Sequence, residues 1–147
     1  MSPLTFDSAK PEDMDLLFQL NKSLIDAFED LESIDYPRVL AWVRQNLQNH
    51  LSDFTRVYYE NTLAAFYCLS PSEGKLELDS LFVLPEFRGQ GIGTAILKKC
   101  ISESETPLFL YVFRKNTGAY ALYRRMGFTV TKELPTRYIM EYQKQGC

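Results

Sequence analysis

Glu77-Leu-Asp-Ser-Leu-Phe-Val-Leu-Pro-Glu-Phe-Arg-Gly-Gln-Gly-Ile-Gly-Thr-Ala-Ile-Leu97 carries a β-rich run into a glycine-rich turn and then into an apolar segment with helical spacing. Strand, glycine turn and helix in that order have the layout of a phosphate cradle. Gly89, Gly91 and Gly93 allow positive φ and close approach of the main chain, and the first N–H groups of the helix lack an intrahelical partner. Such an end attracts anions. Two common phosphate sites fit poorly. Gly93 is followed by Thr94-Ala95 rather than Lys-Ser/Thr, against a Walker-type loop, and a G-x-G-x-x-G count from Gly89 places Thr94 at the third glycine.

Downstream, Leu108–Phe113 is an apolar run suited to a buried strand. Ala119, Leu122, Tyr123 and Met126 then form a short amphipathic helix that Gly127 stops, and residues 129–131 and 138–142 close the chain as two strands around Leu134-Pro-Thr. Upstream, Leu4-Thr-Phe reads as a strand. Pro11 with Glu12, Asp13 and Asp15 suits a helix start, and the stripe Met14, Leu17, Phe18, Asn21, Ile25, Phe28 must face a sheet. A second helix begins after Asp35 with Pro37 in its first turn. It turns Val39, Leu40, Val43 and Leu47 inward and carries Trp42 at its edge. Residues 55–59 and 63–69 form a hairpin about Glu60-Asn61-Thr62, and Pro71-Ser-Glu-Gly74 turns the chain into the strand Lys75–Val83. The order β-α-α-β-β-β-α-β-α-β-β predicts an α/β layer fold.

At 147 residues with 46% apolar content, the chain is the size of one domain, 1–147, with its own core. A net charge of -3 gives no general attraction to nucleic acid or to anionic membrane. No apolar run approaches the roughly 20 residues of a membrane span, and the first residues lack a basic-plus-apolar leader, so a cytoplasmic location is expected. Cys68, Cys100 and Cys147 have no close pair and read as reduced thiols. No metal is expected.

Arg88-x-x-Gly91-x-Gly93, preceded by Leu81-Phe-Val83 and Pro85, resembles the acetyl-coenzyme A signature of the GNAT superfamily of acyl-CoA N-acyltransferases. A second block, Leu110 to Phe128, resembles the family's later motif, in which a strand ends at an Asn and a short helix carries a Tyr before Gly-Phe; Asn116 and Tyr123 match. The likeness covers the chain from about Leu4 to about Tyr142, in element order more than in motif over the N-terminal third. It implies a mixed, mostly antiparallel sheet flanked by helices and splayed between its fourth and fifth strands. It also implies acetyl-CoA as the acyl donor.

By the same resemblance, the main chain of Gly89, Gln90, Gly91, Ile92, Gly93 and Thr94 holds the coenzyme A pyrophosphate, with Arg88 adding charge or bracing the turn. Leu81, Phe82 and Val83 bind the pantetheine arm through their main chain, and an N–H at Phe82 or Val83 polarises the thioester carbonyl. Asn116 belongs to the cofactor side. Tyr123 is the general acid for the departing thiolate, against the competing reading that it is a core tyrosine on its helix's apolar stripe. The attacking amine is protonated at neutral pH and needs a base, for which Glu77 is the first candidate and Asp79 the second; strand alternation puts both on one face with Leu81 and Val83. His50, the only histidine, reads as a helix-end residue.

Asp26, Glu29, Asp30, Glu32 and Asp35 form an acidic run without Lys or Arg, either a solvated surface or an attraction for a cationic acceptor. Phe28, Glu29, Asp30, Glu32 and Tyr36 are accordingly the candidate acceptor-binding residues. The expected activity is acetyl transfer from acetyl-CoA to a primary amine by direct attack in a ternary complex. The acceptor is expected to be a polyamine, an amino sugar or another cationic small molecule. Protein N-terminal or lysine acetylation, and a non-catalytic acyl-CoA-binding module, are the competing readings. Many relatives dimerise through late strands, which makes a homodimer a further expectation.

Overall fold

The glycine turn sits at the centre of a seven-stranded sheet in the order β1-β2-β3-β4-β5-β7-β6, in a computed structural model that describes residues 3–143. Cys147 lies outside the described residues. The strands are β1 (Leu4–Ser8), β2 (Phe54–Tyr59), β3 (Thr62–Ser72), β4 (Lys75–Val83), β5 (Leu108–Phe113), β6 (Thr129–Glu133) and β7 (Arg137–Tyr142). Every neighbouring pair is antiparallel except β4 and β5, which run parallel. The helices α1 (Met14–Phe28), α2 (Tyr36–His50), α3 (Ile92–Glu103) and α4 (Thr117–Arg125) complete the expected order.

Local chemistry explains most boundaries. Asp35 caps α2 by accepting from the Arg38 N–H at 3.3 Å, and Pro37 occupies its first turn, where no donor is needed. Gly127, at φ 100°, ends α4 in a Schellman turn: Gly127 N–H donates to Arg124 O at 3.1 Å and Phe128 N–H to Tyr123 O at 3.0 Å. Glu60 and Asn61 take positive φ in a two-residue turn, and Glu73 and Gly74 do the same. The second turn is therefore tighter than Pro71-Ser-Glu-Gly74 suggested, because Pro71 and Ser72 remain in β3, paired with Leu76 and Lys75. Pro71 is tolerated there because β2 reaches only to Cys68, which leaves that side of β3 without a neighbour to bond.

Apolar side chains bury both faces of the sheet. Leu78, Ile92, Ile96, Leu97, Leu110 and Phe128 lead the cluster on the α3 side, while Leu17, Phe18, Val43, Leu47, Phe66 and Cys68 form the cluster beneath α1 and α2. β4 changes sides between them. Cys68 pairs with Ser80 but Leu69 pairs with Leu78, so Asp79 is an extra, unpaired residue, a β-bulge. The expected alternation that put Glu77 and Asp79 on one face with Leu81 and Val83 therefore fails. Leu76 and Leu78 pack toward α3 before the bulge, and Leu81 and Val83 do so after it, which turns Glu77 away from that side.

Candidate active site

β4 and β5 part almost as soon as they meet. Their register holds only Leu76 opposite Leu108 and Glu77 opposite Phe109, after which the strands diverge. A cleft of about 860 Å³ opens through the gap, with Leu81 and Phe82 of β4 on one wall and Tyr111, Val112 and Phe113 of β5 on the other. Leu84 N–H donates to Ala64 O at 2.8 Å, so strand alternation directs the Phe82 main chain to β3 and those of Leu81 and Val83 into the gap. An N–H offered to a ligand in the gap is thus that of Leu81 or Val83. Phe82, one of two residues expected to supply it, spends its own on the sheet.

The glycine turn follows at the end of β4. Gly89 and Gly91 have φ of 74° and 82°, conformations that a side chain disfavours, and Gly91 is the N-cap of α3. Among the described residues, no protein acceptor meets the main-chain N–H groups from Gly89 to Thr94. Free donors in a row at a helix end favour an anion there. Arg88 braces the turn, donating from Nε to Val83 O at 3.0 Å, and Gln90 donates to Glu86 O at 3.1 Å. The Ile92 side chain is core, leaving only its main chain to a ligand. Gly93 faces Val83 and Leu122, where a Cβ would sit at 3.7 and 3.6 Å, ordinary contact distances.

α4 brings Asn116, Ala119 and Tyr123 to the same cleft. Asn116 caps the helix by accepting from the Ala119 N–H at 3.3 Å, which leaves its amide nitrogen for the cleft. Tyr123 keeps partial exposure where it borders the opening, but its hydroxyl is enclosed, and burial pushes the phenol up to about 12. It stays protonated at neutral pH.

Glu77 and Asp79 line the cleft on the α1/α2 side. Desolvation first, and then the neighbouring Asp79 charge, raises the Glu77 carboxyl above its ordinary range. Asp79 opens on the cleft yet is crowded by Asn21, Trp42 and Asn46, and desolvation raises it too, while its contact with Glu77 and the nearby His50 pull it down. The pair shares protons as a unit. His50 ends α2 with Nδ1 3.2 Å from Asp53 Oδ2, and it also lies on the cleft wall, which its helix-end position alone did not reveal.

Of the acidic run, Glu29 lines the cleft; Phe28, Asp30, Glu32 and Tyr36 do not. Asp35 is spent as a cap, and Asp26 accepts from Lys22 and from the Tyr36 hydroxyl. The acceptor side is instead walled by Leu24, Ile34, Val39, Trp42 and Asn46. Trp42, 64% exposed, carried a visible signal: a large aromatic placed off the apolar stripe of its helix. Burial pushes Cys68 up to about 12 and Cys100 up to about 11, so neither thiol is an activated nucleophile. Among the described residues no cluster of His, Cys, Asp and Glu is placed to hold a metal, and no helix is long and apolar enough to cross a membrane.

Known proteins resemble this chain in sequence and in fold. Residues 17–128 match the family described as Acetyltransferase (GNAT) family. The spermine/spermidine N(1)-acetyltransferase of Bacillus subtilis (strain 168) is 32% identical over 91 residues, which are 53% of this chain and 60% of that one. The peptidyl-lysine N-acetyltransferase YjaB of Salmonella typhimurium is 39% identical over 54 residues, 37% of each chain. The chain spans between 25% and 60% of the length of the curated relatives it matches. In three dimensions, PaiA N-acetyltransferase from Thermoplasma acidophilum, solved with coenzyme A, aligns with a TM-score of 0.72 over 97% of this chain and 100% of its own, at 21% identity. With the split sheet, the glycine cradle and a family match over most of its length, the chain belongs to the GNAT acetyltransferase family.

Proposed function

We propose that this protein transfers an acetyl group from acetyl-CoA to a primary amine by direct attack within a ternary complex. The single observation that carries this reading is the row of unpartnered main-chain amides from Gly89 to Thr94 at the mouth of the β4–β5 split. Those amides would hold the pyrophosphate, with the Leu81 and Val83 main chains lying along the pantetheine arm and Asn116 across from them. Acetyl-CoA bound there supplies an acetyl group activated as a thioester.

This chain's own groups supply the rest. Glu77 takes a proton from the acceptor's ammonium, with Asp79 beside it to share or relay the charge; a carboxyl raised above its ordinary range is a better base than a free one. The amine nitrogen then bonds to the acetyl carbon and the carbon–sulfur bond breaks. An N–H from Leu81 or Val83 stabilises charge on the carbonyl oxygen, a type of contact worth about 3 kcal/mol. Tyr123 gives its proton to the leaving sulfur, and the second proton lost by the nitrogen restores the phenol. Holding amine and thioester in line accounts for much of the acceleration without an acyl-enzyme.

The acceptor reading is a cationic small molecule. It is supported by Glu29, Glu77 and Asp79 in one cleft and by the relative named for spermine and spermidine. The relative named for peptidyl-lysine favours a second reading, a lysine side chain as acceptor. Thiol release from acetyl-CoA, measured across a panel of small amines and lysine peptides, tests both. Amine-dependent release is expected, strongest with small polycations. Coenzyme A binding without amine-dependent release would overturn catalysis in favour of an acyl-CoA-binding module.

A further inference from the structure

Beside the β4 bulge the acceptor cleft has a small side branch of about 80 Å³, lined by the polar Asn21, Asn46, Asp79 and Ser80 and by Trp42, with Val43, Leu47 and Phe54 completing the wall. A water's share of volume is about 30 Å³, so the branch has room for a few waters or for one aminomethyl head group. Its polar lining is rich in acceptors. Asn21 commits its amide nitrogen to Leu17 O at 2.9 Å, which turns its carbonyl oxygen to the space; Asp79 adds a carboxylate and Ser80 a hydroxyl. Among the described residues the Asn46 amide finds no protein partner. Trp42 presents an open indole at the edge, the aromatic surface that attracts cations best. No Lys or Arg lines the branch, and the titratable groups that act on Asp79 are Glu77 and His50.

We infer that this branch is a subsite for a second ammonium group of the acceptor, so that the substrate class is a diamine or polyamine whose reacting nitrogen lies at the split. The inference rests on the acetyl-transfer reading and gives the two neighbouring acids different ligands: Glu77, at the last register pair before the split, serves the reacting amine, and Asp79, displaced by the bulge, also faces the ammonium in the branch. An alkyl ammonium with a pKa near 10 stays charged at neutral pH and gains hydrogen bonds and ring contact in the branch. A monoamine gains none of this.

The experiment compares straight-chain α,ω-diamines of graded length with n-alkylamines of equal length in the thiol-release assay. It uses the intact chain and the variants Asn46→Asp and Asn46→Lys; Asn46 is partly exposed on α2, and the Asp change is isosteric. In one length window, the diamine is expected to exceed its monoamine by about tenfold in kcat/KM, mainly through KM. Asn46→Asp widens that ratio. Asn46→Lys, which puts its own ammonium in the branch, erases it. A ratio that is the same in all three proteins, while monoamines are turned over, overturns the subsite and leaves acetyl transfer standing. Coenzyme A binding with no release from any amine sinks the acetyl-transfer reading, and this inference with it.

Discussion

Tyr123 and Glu77 are shifted in the same direction, while the proposed reaction asks opposite things of them. Burial pushes the Tyr123 phenol up to about 12, so it keeps its proton across the working pH range, as the proposed general acid must. Tyr123→Phe is expected to lower kcat by about 10–100-fold, at or below the low end for general acids because a thiol leaves tolerably unaided. The KM for acetyl-CoA should hardly move, as steady-state thiol release would report. The Glu77 carboxyl is raised by desolvation and by Asp79, so the folded state binds protons more tightly than the unfolded chain. Stability from this source is fully present below the ordinary carboxylate pKa and is lost as pH rises through the raised one. Glu77→Gln should therefore melt higher than the parent at neutral pH, by a few degrees on the scale of roughly 2–8 °C per kcal/mol, and the gain should vanish in acid. The same variant should lose most turnover. A melting temperature that falls at neutral pH, or activity that survives, would remove Glu77 from the base role. Sequence spacing pointed to Glu77 and Asp79 but put them on the wrong face, because a bulge leaves no mark in residue periodicity.

At the level of elements, the turn between β4 and α3 is the proposed cofactor site, and what it offers is main-chain N–H groups. Gly91 at φ 82° is the N-cap, and an added Cβ there would meet nothing within 4 Å, so the space beside it is open and not filled by the core. Gly91→Glu puts a bulky anion into a cradle built for phosphate and adds the strain of a left-handed side chain, which costs about 1–2 kcal/mol. Coenzyme A binding should be lost in calorimetry while the far-ultraviolet spectrum remains native; unchanged affinity would move the cofactor elsewhere. This element was legible from spacing alone because glycine and helix-start preferences act locally. The acidic run between α1 and α2 was not. Its residues divide among a cap, the Asp26 carboxylate that accepts from Lys22 and Tyr36, and open surface, and only Glu29 reaches the cleft, a division set by how the two helices cross the sheet.

Across the whole molecule, two apolar clusters clamp the sheet from opposite sides while its middle is held by two register pairs. The protein is rigid at its flanks and unpaired where chemistry is proposed. Main-chain amides of Leu81 and Val83 should accordingly exchange quickly with solvent in the free protein and slow by about tenfold or more when coenzyme A lines the gap. Hydrogen exchange with and without the cofactor checks this, and equal rates would mean the gap is not the pantetheine channel. Glycine spacing and hydrophobic period by themselves determined the order of strands and helices and pointed to an anion-binding turn, while the two motif blocks around Gly91 and Tyr123 carried the family resemblance. Those features are written in neighbouring residues and in short-range main-chain preference. Only the tertiary structure decided that Asp79 bulges, that Trp42, Asn46 and His50 join the acceptor wall, and that Phe82 gives its amide to the sheet. Each of these depends on which strand or helix lies alongside, and α1 and α2, the partners of Asp79 in the cleft, lie dozens of residues earlier in the chain.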